Sequence, residues 1–458
     1  YLLEVNGRYD GTSRFMKDQR WNFFPSFSLG WNVARENFWK PLESVVNQFK
    51  LRGSWGELGN QNTSNLYPFY EILPVKSNSG NWLVNGGKTN TADIPSLVSA
   101  LLTWERVRSF NVGFDFGAFS NRLTGSFDYF VRKTVDMVGP APQLPLVLGI
   151  APAIVNNADM KSYGFEIELS WRDRIGEVDY GVKFNLADAQ QKVVKYPNTT
   201  NAFSDWYAGK MSGEIWGYTS LGIAKTDEEM KEHLASLPNG GQNQLGNKWG
   251  AGDIMYADIN GDGKIDGGKG TLADPGDQRI IGNSTPRYNF GLVLDASYKG
   301  FDVSIFFQGV GKRDYAPIVG TNGAVFWGAV NNIWQSMAME EHFDYFRPEG
   351  HPMGANLNGY YPRPDFTSNK NHQVQTRYLQ DASYIRLKNL QIGYTLPKQW
   401  INKLHINRCR VYVSGDNLWT GTSLASMFDP ETLAAGDWGS GKTYPLSKVI
   451  SFGLNVNF

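Results

Sequence analysis

Residues 450–458 read ISFGLNVNF, so every second side chain is large and apolar and those between are Ser, Gly or Asn. Successive side chains of a β-strand point to opposite sides, which gives this strand one apolar and one polar face. A soluble β-sandwich can contain such a strand, but an outer-membrane β-barrel depends on it, because one face meets lipid and the other a water-filled interior. The apolar residues are predicted to form a membrane-assembly signal: Phe452, Leu454, Val456 and Phe458.

The same alternation recurs along the chain. In residues 164–171, for example, Phe165, Ile167 and Leu169 share one face with Trp171. A period of two over this length is typical of half-buried strands. The pattern predicts about twelve strands, near residues 1–9, 22–34, 49–57, 104–117, 121–132, 162–172, 179–194, 288–298, 301–311, 383–396, 409–418 and 448–458.

The connections between these strands alternate in length from residue 58 onward. Long polar stretches occupy 58–103, 133–161, 195–287, 312–382 and 419–447, and the connections between them are short or compact. An up-and-down transmembrane barrel has short turns on one side and long loops on the other, whereas a sandwich has no reason to sort its loops. The sequence therefore predicts an all-β fold, an antiparallel up-and-down transmembrane β-barrel. The segments 195–287 and 312–382 would be long extracellular loops.

Two local signals interrupt the strand pattern. The alternation changes phase within residues 384–396, which predicts a β-bulge near Lys388 and Asn389 that re-aims the strand. Residues 226–234 predict a short helix inside the longest loop, with Thr226 as the N-cap and acidic residues in the first turn.

Composition excludes several classes of protein. The 458 residues carry 44 basic and 44 acidic side chains, so nothing favours attraction to nucleic acid. A single cysteine, Cys409, excludes an internal disulfide framework. No stretch reaches the roughly 18 apolar residues of a membrane helix, so a membrane role must come from strands. The 14% aromatic content and the 50 glycines suit a barrel with aromatic girdles, and equally a carbohydrate-binding sandwich.

One short segment has the spacing of a calcium-binding loop. Residues 258–266 read DINGDGKID, in which oxygen-bearing side chains alternate along the chain and Gly263 permits a sharp turn. The twelfth position, where an EF-hand has an acid, is Lys269; residues 267–276 resemble an insertion, after which an acid follows. The candidate ligands of a structural Ca²⁺ are the side chains of Asp258, Asn260, Asp262, Asp266 and Asp277 and the backbone carbonyl of Lys264. The alternative is an Asx-rich turn without metal.

Aromatic residues in the long loops are the candidate substrate-binding groups, because their rings can stack on sugars or contact a partner protein. They include Trp206, Tyr207, Trp216, Trp327 and Trp334. The alternative for each is packing within the loops themselves. No nucleophile elbow, phosphate-binding loop or HExxH motif is present, so no catalytic residues are predicted and the protein is not expected to be an enzyme.

Several further motifs follow one another in order along the chain. They include GRYDGTSRF at 7–15, FPSFSLGW at 24–31, LRGSWG at 51–56, YGFE at 163–166, Gly252-Asp253, YIRLKN at 384–389, GYTLP at 393–397, Asp429-Pro430 and SFGL at 451–454. Together they resemble the SusC/RagA-type TonB-dependent transporters, the outer-membrane importers of Bacteroidetes. The resemblance covers the chain from end to end.

The resemblance implies a barrel of about 22 strands with an N-terminal plug. Residues 1–458 would be its C-terminal part, because residues 1–9 already read as mid-strand and no initiating Met is present. The plug and the TonB-contacting segment are not in this chain, and we expect the rest of the barrel to accompany it. The resemblance also implies a SusD-like surface lipoprotein over the loops, a dimer of importer–lipoprotein pairs, and energy supplied through TonB–ExbB–ExbD. Substrates of the family are glycans and sometimes peptides.

The preferred function is therefore TonB-dependent import of oligosaccharides or peptides across the outer membrane, driven by the proton-motive force. Two alternatives stay open at this point. A passive outer-membrane porin or receptor would have no plug in the full-length protein. A secreted β-rich glycan-binding protein or hydrolase would be soluble without detergent, but it leaves the alternation of loop lengths unexplained.

Overall fold

The computed structural model of the protein describes residues 1–458 except 62, 64–65, 141–144, 146, 148, 151, 318–323, 329–338, 366–367, 403–404 and 434–442. The chain divides into two compact units. The first contains residues 1–166 and 189–212, and the second contains residues 167–188 and 213–458.

Twelve long strands within the described residues form one sheet, and their order in the sheet is their order in the chain. They are β1 (Leu2–Gly11), β2 (Trp21–Asn32), β3 (Val46–Asn60), β4 (Glu105–Ala118), β5 (Leu123–Val138), β6 (Asn156–Ile175), β7 (Val178–Lys195), β8 (Arg287–Tyr298), β9 (Phe301–Lys312), β10 (Tyr384–Thr395), β11 (Arg408–Thr422) and β12 (Val449–Asn457). Each falls where the alternation predicts a strand, which confirms the all-β fold.

Neighbouring strands pair antiparallel, as an up-and-down meander requires. Residues 2–11 of β1 pair with residues 21–30 of β2, and β11 pairs with β12 from Arg408↔Asn457 to Asp416↔Val449. Several strands are longer than the alternation predicts. The strand β6, for example, begins at Asn156, six positions before the predicted start near 162. Its first residues are polar, and the amide of Asn156 bonds the backbone of Thr103 there.

Two of the short connections are tight turns with several left-handed residues. Lys299 and Gly300 join β8 to β9 with φ angles of 46° and 87°, and the strands pair directly at Tyr298↔Phe301. Two consecutive positive φ angles match the twist of a hairpin, as in a type I′ turn. The turn between β4 and β5 contains three left-handed residues in a row, at positions 119–121. The long stretches lie between the other strand pairs, so the predicted alternation is confirmed.

The predicted bulge is present in β10. Phe306 of β9 pairs with Asn389, and the next residue, Phe307, pairs with Leu387, so Lys388 has no partner on that side. The register to β11 shifts at the same place, between Leu387 and Asn389. The extra residue moves the later apolar side chains of β10 back onto the common face, which is the reason for the phase change in the sequence.

The first unit has a small core beside its strands. Phe15, Phe24, Leu102 and Trp104 are buried together, and the Trp104 indole donates to the carbonyl of Arg20 at 2.8 Å. Short paired strands lie in the loop that follows β3, at Val75–Lys76 with Thr91–Ala92 and at Leu83–Val84 with Gly87–Lys88.

The second unit has a larger core, built almost entirely from three long loops. Its buried members come from residues 218–265, 325–382 and 424–428, and they include Tyr256, Phe326, Trp327 and Tyr361. Short strand pairs support this core: Glu214–Gly217 with Arg279–Asn283, Ser220–Ile223 with Ile254–Tyr256, and Asp314–Tyr315 with Gln380–Asp381. The long loops of this unit therefore form a folded body rather than loose connections.

Helices are few and short among the described residues. The helix α1 (Asp227–Ala235) follows Thr226, whose side chain accepts from the Glu229 amide at 3.1 Å, so the predicted N-cap is confirmed. Two helices have four residues each, Ala324–Trp327 and Lys398–Ile401. Short 3₁₀ turns occupy Lys17–Gln19, Val33–Arg35, Asn37–Leu42, Glu340–Phe343 and Thr376–Tyr378. No described helix is long and apolar enough to cross a membrane.

Candidate binding sites in the loops and the polar face of the sheet

One face of the sheet in the first unit carries ion pairs that cross strands. The Arg52 guanidinium on β3 donates to Asp115 on β4 at 2.8–2.9 Å and to Asp128 on β5 at 2.8–3.0 Å. The residue between Arg52 and Asp128 is Gly113, where a β-carbon would lie 2.4 Å from the Asp128 carboxylate. The glycine therefore leaves room for the ion pair to lie flat across β4.

The second unit repeats this arrangement. Arg410 on β11 bonds both carboxylate oxygens of Asp302 on β9, and its Nη2 also donates to Gln391 on β10 at 3.0 Å. Gly393 lies under the guanidinium, and a β-carbon there would lie 2.4 Å from Nη2. Charged side chains on this face are thus paired across neighbouring strands, as expected where a sheet faces water.

The opposite face is apolar and uncovered. Phe114 of β4 stacks on Phe127 of β5, with ring centroids 5.6 Å apart. On β12, Phe452 is 85% exposed and Leu454 is 65% exposed. Exposed apolar side chains in a continuous strand pattern fit contact with lipid. Val456 continues the same face of β12, and Phe458 follows directly after the strand ends at Asn457.

The aspartate-rich loop forms the sharp turn that its sequence predicts. The two carboxylate oxygens of Asp258 accept from the amides of Gly261 at 2.7 Å and Gly263 at 2.8 Å. Both glycines have positive φ, at 75° and 79°, a conformation that costs other residues energy. The chain thereby wraps around the first acidic side chain.

The later acidic residues of the loop bond to their neighbours and to a lysine. Asn260 accepts from the amide of Asp262, and Asp262 from the amide of Lys264, both at 3.1 Å. The Lys264 ammonium lies 2.5 Å from Asp266 Oδ2 and 3.8 Å from Asp262 Oδ2. The hydrogen bond from Lys264 lowers the pKa of Asp266. The chain thus supplies its own cation between two of the predicted metal ligands.

Asp277 folds back into the loop across the insertion. It is fully buried, and its two carboxylate oxygens each accept a backbone amide at 2.8 Å, from Ile259 and from Asp266. Burial raises the pKa of Asp277 above its ordinary value, and the amide hydrogen bonds oppose this shift. The carboxylate closes the loop through these two amide hydrogen bonds, and its role as a calcium ligand stays a prediction.

The predicted metal ligands are therefore brought into one loop, but their oxygens already have donors. In the described part of the chain, no group of three or more His, Cys, Asp or Glu side chains converges as a metal site would require. A carboxylate oxygen can accept from an amide and bind calcium at once, so the residue types fit Ca²⁺. Binding would require the Lys264 ammonium to leave Asp266, and calcium stays a prediction.

The predicted aromatic residues are divided between the two units. Trp206 and Tyr207 belong to the first unit, where Trp206 packs edge-on against Tyr196 with centroids 6.0 Å apart. The Lys210 ammonium lies over the Tyr207 ring, 5.4 Å from its centroid, and donates to three backbone carbonyls at residues 203–205. Both rings are partly buried.

The tryptophans of the second unit lie in different surroundings. Trp216 belongs to a short strand and pairs with Ile280, with its side chain partly buried. Trp327 is 1% exposed and packs against Phe326 and Tyr378 in the loop core. In this position Trp327 has no open face for a ligand. Trp334 lies outside the described residues.

Two buried charge clusters in the loops have no counterpart in the sequence predictions. In one, Asp253 binds Arg363 and Lys370, more than one hundred residues away. In the other, Arg386 on β10 binds Asp429 and Glu431. The motifs YIRLKN, Gly252-Asp253 and Asp429-Pro430 include members of both clusters, but a motif does not reveal which charged residues will pair.

The antiparallel strands in chain order, the alternation of turns and loops, and the two contrasting faces define the class of outer-membrane β-barrels. The family model described as TonB dependent receptor-like, beta-barrel, matches residues 1–418, and the chain belongs to that family. It is an outer-membrane protein of the SusC/RagA type.

Named relatives agree with this assignment. TonB-dependent receptor P3 of Formosa agariphila is 30% identical over 488 residues, which cover 100% of this chain and 44% of the relative. TonB-dependent receptor SusC of Bacteroides thetaiotaomicron is 24% identical over 474 residues, 100% of this chain and 42% of SusC. Both relatives are named as TonB-dependent receptors. The chain spans less than half the length of each.

The fold also matches solved structures. A structure of the RagAB peptide transporter superposes with a TM-score of 0.74 at 22% identity, over 100% of this chain and 46% of that one. The RagAB peptide importer in an open-open state gives a TM-score of 0.70 at 23% identity, over 100% of this chain and 45% of that one. At this identity the likeness concerns the fold.

Proposed function

We propose that this chain forms part of a TonB-dependent importer that carries oligosaccharides or peptides across the outer membrane, driven by the proton-motive force. The observation that carries the proposal is its membership, over residues 1–418, in the TonB-dependent receptor barrel family. The similarity to SusC and to RagAB supports the SusC/RagA type, and RagAB is a peptide transporter. A SusD-like lipoprotein over the loops, and dimerisation of the pair, belong to the same proposal.

The arrangement of the loops supports binding rather than catalysis. The three long loops of the second unit share a core of buried aromatic side chains, so they present a fixed surface to a substrate or a partner. A substrate bound at such a surface is released for transport when a conformational change elsewhere in the protein lowers the affinity of the site. The folded loops would provide recognition, and the paired charges on the polar face of the sheet would line the path below.

Uptake by intact cells tests this proposal. A strain lacking the full-length gene and a complemented strain would be supplied with fluorescent neutral and acidic oligosaccharides and with a fluorescent peptide. We expect gene-dependent uptake of at least one substrate, and we expect a protonophore to abolish it. Gene-dependent uptake that a protonophore leaves unchanged would indicate a passive pore, and no gene-dependent uptake would contradict import of these substrates.

A further inference from the structure

A polar cleft of about 410 Å³ opens in the loops of the second unit. Two segments that are far apart in sequence form its walls. The described lining residues are Gly246, Asn247, Lys248, Arg363, Pro364, Asp365, Ser368 and Lys370. Nearly all of them offer charged or polar groups, so the cleft is built for a hydrophilic ligand.

The floor of the cleft is a buried carboxylate shared by two cations. Asp253 is 0% exposed and accepts from Arg363 Nε at 2.8 Å, from Arg363 Nη2 at 2.6 Å and from Lys370 Nζ at 3.0 Å. The amide of Asn371 donates to the same carboxylate at 2.9 Å. Asp365 on the wall of the cleft lies 3.8 Å from the Lys370 ammonium, so these two carboxylates balance the two cations. Any positive excess in the cleft comes from Lys248, the third lining cation.

A strained backbone brings a third cation to the rim. Lys248 has a φ angle of 56°, in the left-handed region that residues other than glycine rarely adopt. This conformation aims its carbonyl at both cations of the floor, which donate to it at 2.8 Å from Arg363 and 3.0 Å from Lys370. The Lys248 side chain is exposed at the edge of the cleft.

Several donors of the cleft are left for a ligand. Nε and Nη2 of Arg363 are occupied, but within the described part of the chain its Nη1 has no hydrogen-bond partner. The Ser368 hydroxyl accepts from the amide of Lys370 at 3.2 Å, which leaves its proton free to donate. A guanidinium nitrogen and an ammonium at one rim form a binding site for a carboxylate.

We propose that this cleft binds the carboxylate of an acidic oligosaccharide, such as a chain containing uronic acid. The inference rests on the proposed import function and names its substrate class. Arg363 Nη1 and the Lys248 ammonium hold the carboxylate, while the Ser368 hydroxyl bonds a ring hydroxyl. An acidic peptide offers the same carboxylate, but the only apolar side chain among the described lining residues is Pro364, which gives peptide side chains little to pack against.

Binding measured by calorimetry tests the inference on the full-length transporter, purified in detergent with any lipoprotein that co-purifies. The probes are trigalacturonic acid, neutral maltotriose and a tripeptide ending in aspartate. The variants are K248Q and K248E, which leave the Lys248 carbonyl and the buried floor in place. K231Q, at an exposed position on α1, is the matched control for the loss of one positive charge.

We expect trigalacturonic acid to bind more tightly than maltotriose, and its affinity to fall about tenfold in K248Q and further in K248E. K231Q and the wild-type protein would bind it equally, and the melting temperatures of all variants would agree. Higher salt would weaken the binding of trigalacturonic acid by the wild-type protein, and it would weaken the binding by K248Q to a smaller extent.

Two results would overturn the inference. One is equal binding of trigalacturonic acid by the wild-type protein and both Lys248 variants. The other is Lys248-dependent binding of the tripeptide without binding of the acidic sugar. Either result leaves uptake by cells untouched, so the failure of this site and the failure of the import proposal are distinguishable. If cells took up a neutral sugar and K248Q bound trigalacturonic acid as the wild-type protein does, the carboxylate site in the cleft would be contradicted and the import proposal would stand.

Discussion

Arg386 Nη2 lies 2.6 Å from Asp429 Oδ1, and the two side chains are only 4% and 7% exposed. The same guanidinium reaches Glu431 at 2.8 Å through Nη1, and the Lys388 ammonium at the bulge reaches the other oxygen of Glu431 at 2.5 Å. The bulge and the last long loop are thus joined by one charge network. Two motifs that are separate in the sequence, YIRLKN and Asp429-Pro430, form a single structural unit.

Removing one member of this network leaves the buried Arg386 with one carboxylate partner fewer. We expect Asp429→Asn to destabilise the loop by about 1–3 kcal/mol, because Arg386 stays buried and keeps only Glu431 as a carboxylate partner. Limited proteolysis of the detergent-purified protein, followed by mass spectrometry, would show earlier cleavage within residues 423–433. The matched control is Glu177→Gln, which breaks the pair with Lys299, whose side chains are about 60% exposed. Equal protease resistance of the Asp429 variant and the control would contradict a structural role.

Substitutions in the hairpin between β8 and β9 test the left-handed conformation of its two turn residues. Lys299 adopts a φ of 46°, which asparagine tolerates better than lysine in this type of turn. We expect Lys299→Asn to raise stability by up to about 1 kcal/mol in urea unfolding of the refolded barrel. Gly300→Ala should lower it, because the residue has a φ of 87° and a β-carbon would lie 2.7 Å from the Thr395 carbonyl. If Gly300→Ala raised the stability, the backbone at this position would not have the left-handed conformation described here.

Calcium binding by the loop at residues 258–266 can be separated from its folding. If the loop binds calcium, the metal should raise the melting temperature of the full-length protein, and Asp258→Asn should remove that increase. Asp277→Asn should destabilise the loop with or without calcium, because its carboxylate accepts two backbone amides. If millimolar calcium does not change the melting temperature of the wild-type protein, the loop is a turn without metal, in which the Lys264 ammonium lies beside the carboxylates.

A buried histidine makes the loop core sensitive to acid. His372 is 0% exposed, its ring centroid lies 4.5 Å from that of Trp327, and burial lowers its pKa from 6.5 to about 4. Since the folded pKa is depressed, its contribution to stability is fully present above pH 6.5 and is lost as the pH falls toward 4. The loss is at most about 1.4 kcal/mol per pH unit for one proton.

Tryptophan fluorescence of the loops between pH 7 and 4 would follow this loss. We expect His372→Phe, which keeps a ring against Trp327, to shift the acid transition to lower pH. His405→Asn, at an exposed turn position, is the control and should leave the transition in place. An acid transition that is the same in His372→Phe would exclude His372 as its cause.

The extent to which sequence predicts this structure differs between the sheet and the loops. A strand repeats every two residues, so the alternation predicts β10 and even its bulge at Lys388. The N-cap Thr226 is also predictable, because it bonds to an amide three residues away. The loop core has no such period. Phe326 and Phe428 stack there from distant segments, and the cluster around Asp253 joins residues more than one hundred positions apart.

The two faces of β12 give the most direct test of the membrane orientation. Leu454 lies on the apolar face and Asn455 on the other, at neighbouring positions of the same strand. We expect Leu454→Arg to destabilise the full-length barrel in lipid vesicles by about 2–4 kcal/mol, because a guanidinium on the lipid face loses its hydration. Ser451→Arg carries the same charge on the polar face that Asn455 shares, opposite the uncharged Ser414, and should change stability little. Urea unfolding of both variants measures the difference. A larger loss in Ser451→Arg would place lipid on the face that carries the Arg410–Asp302 pair, where the paired charges would have to be buried in hydrocarbon.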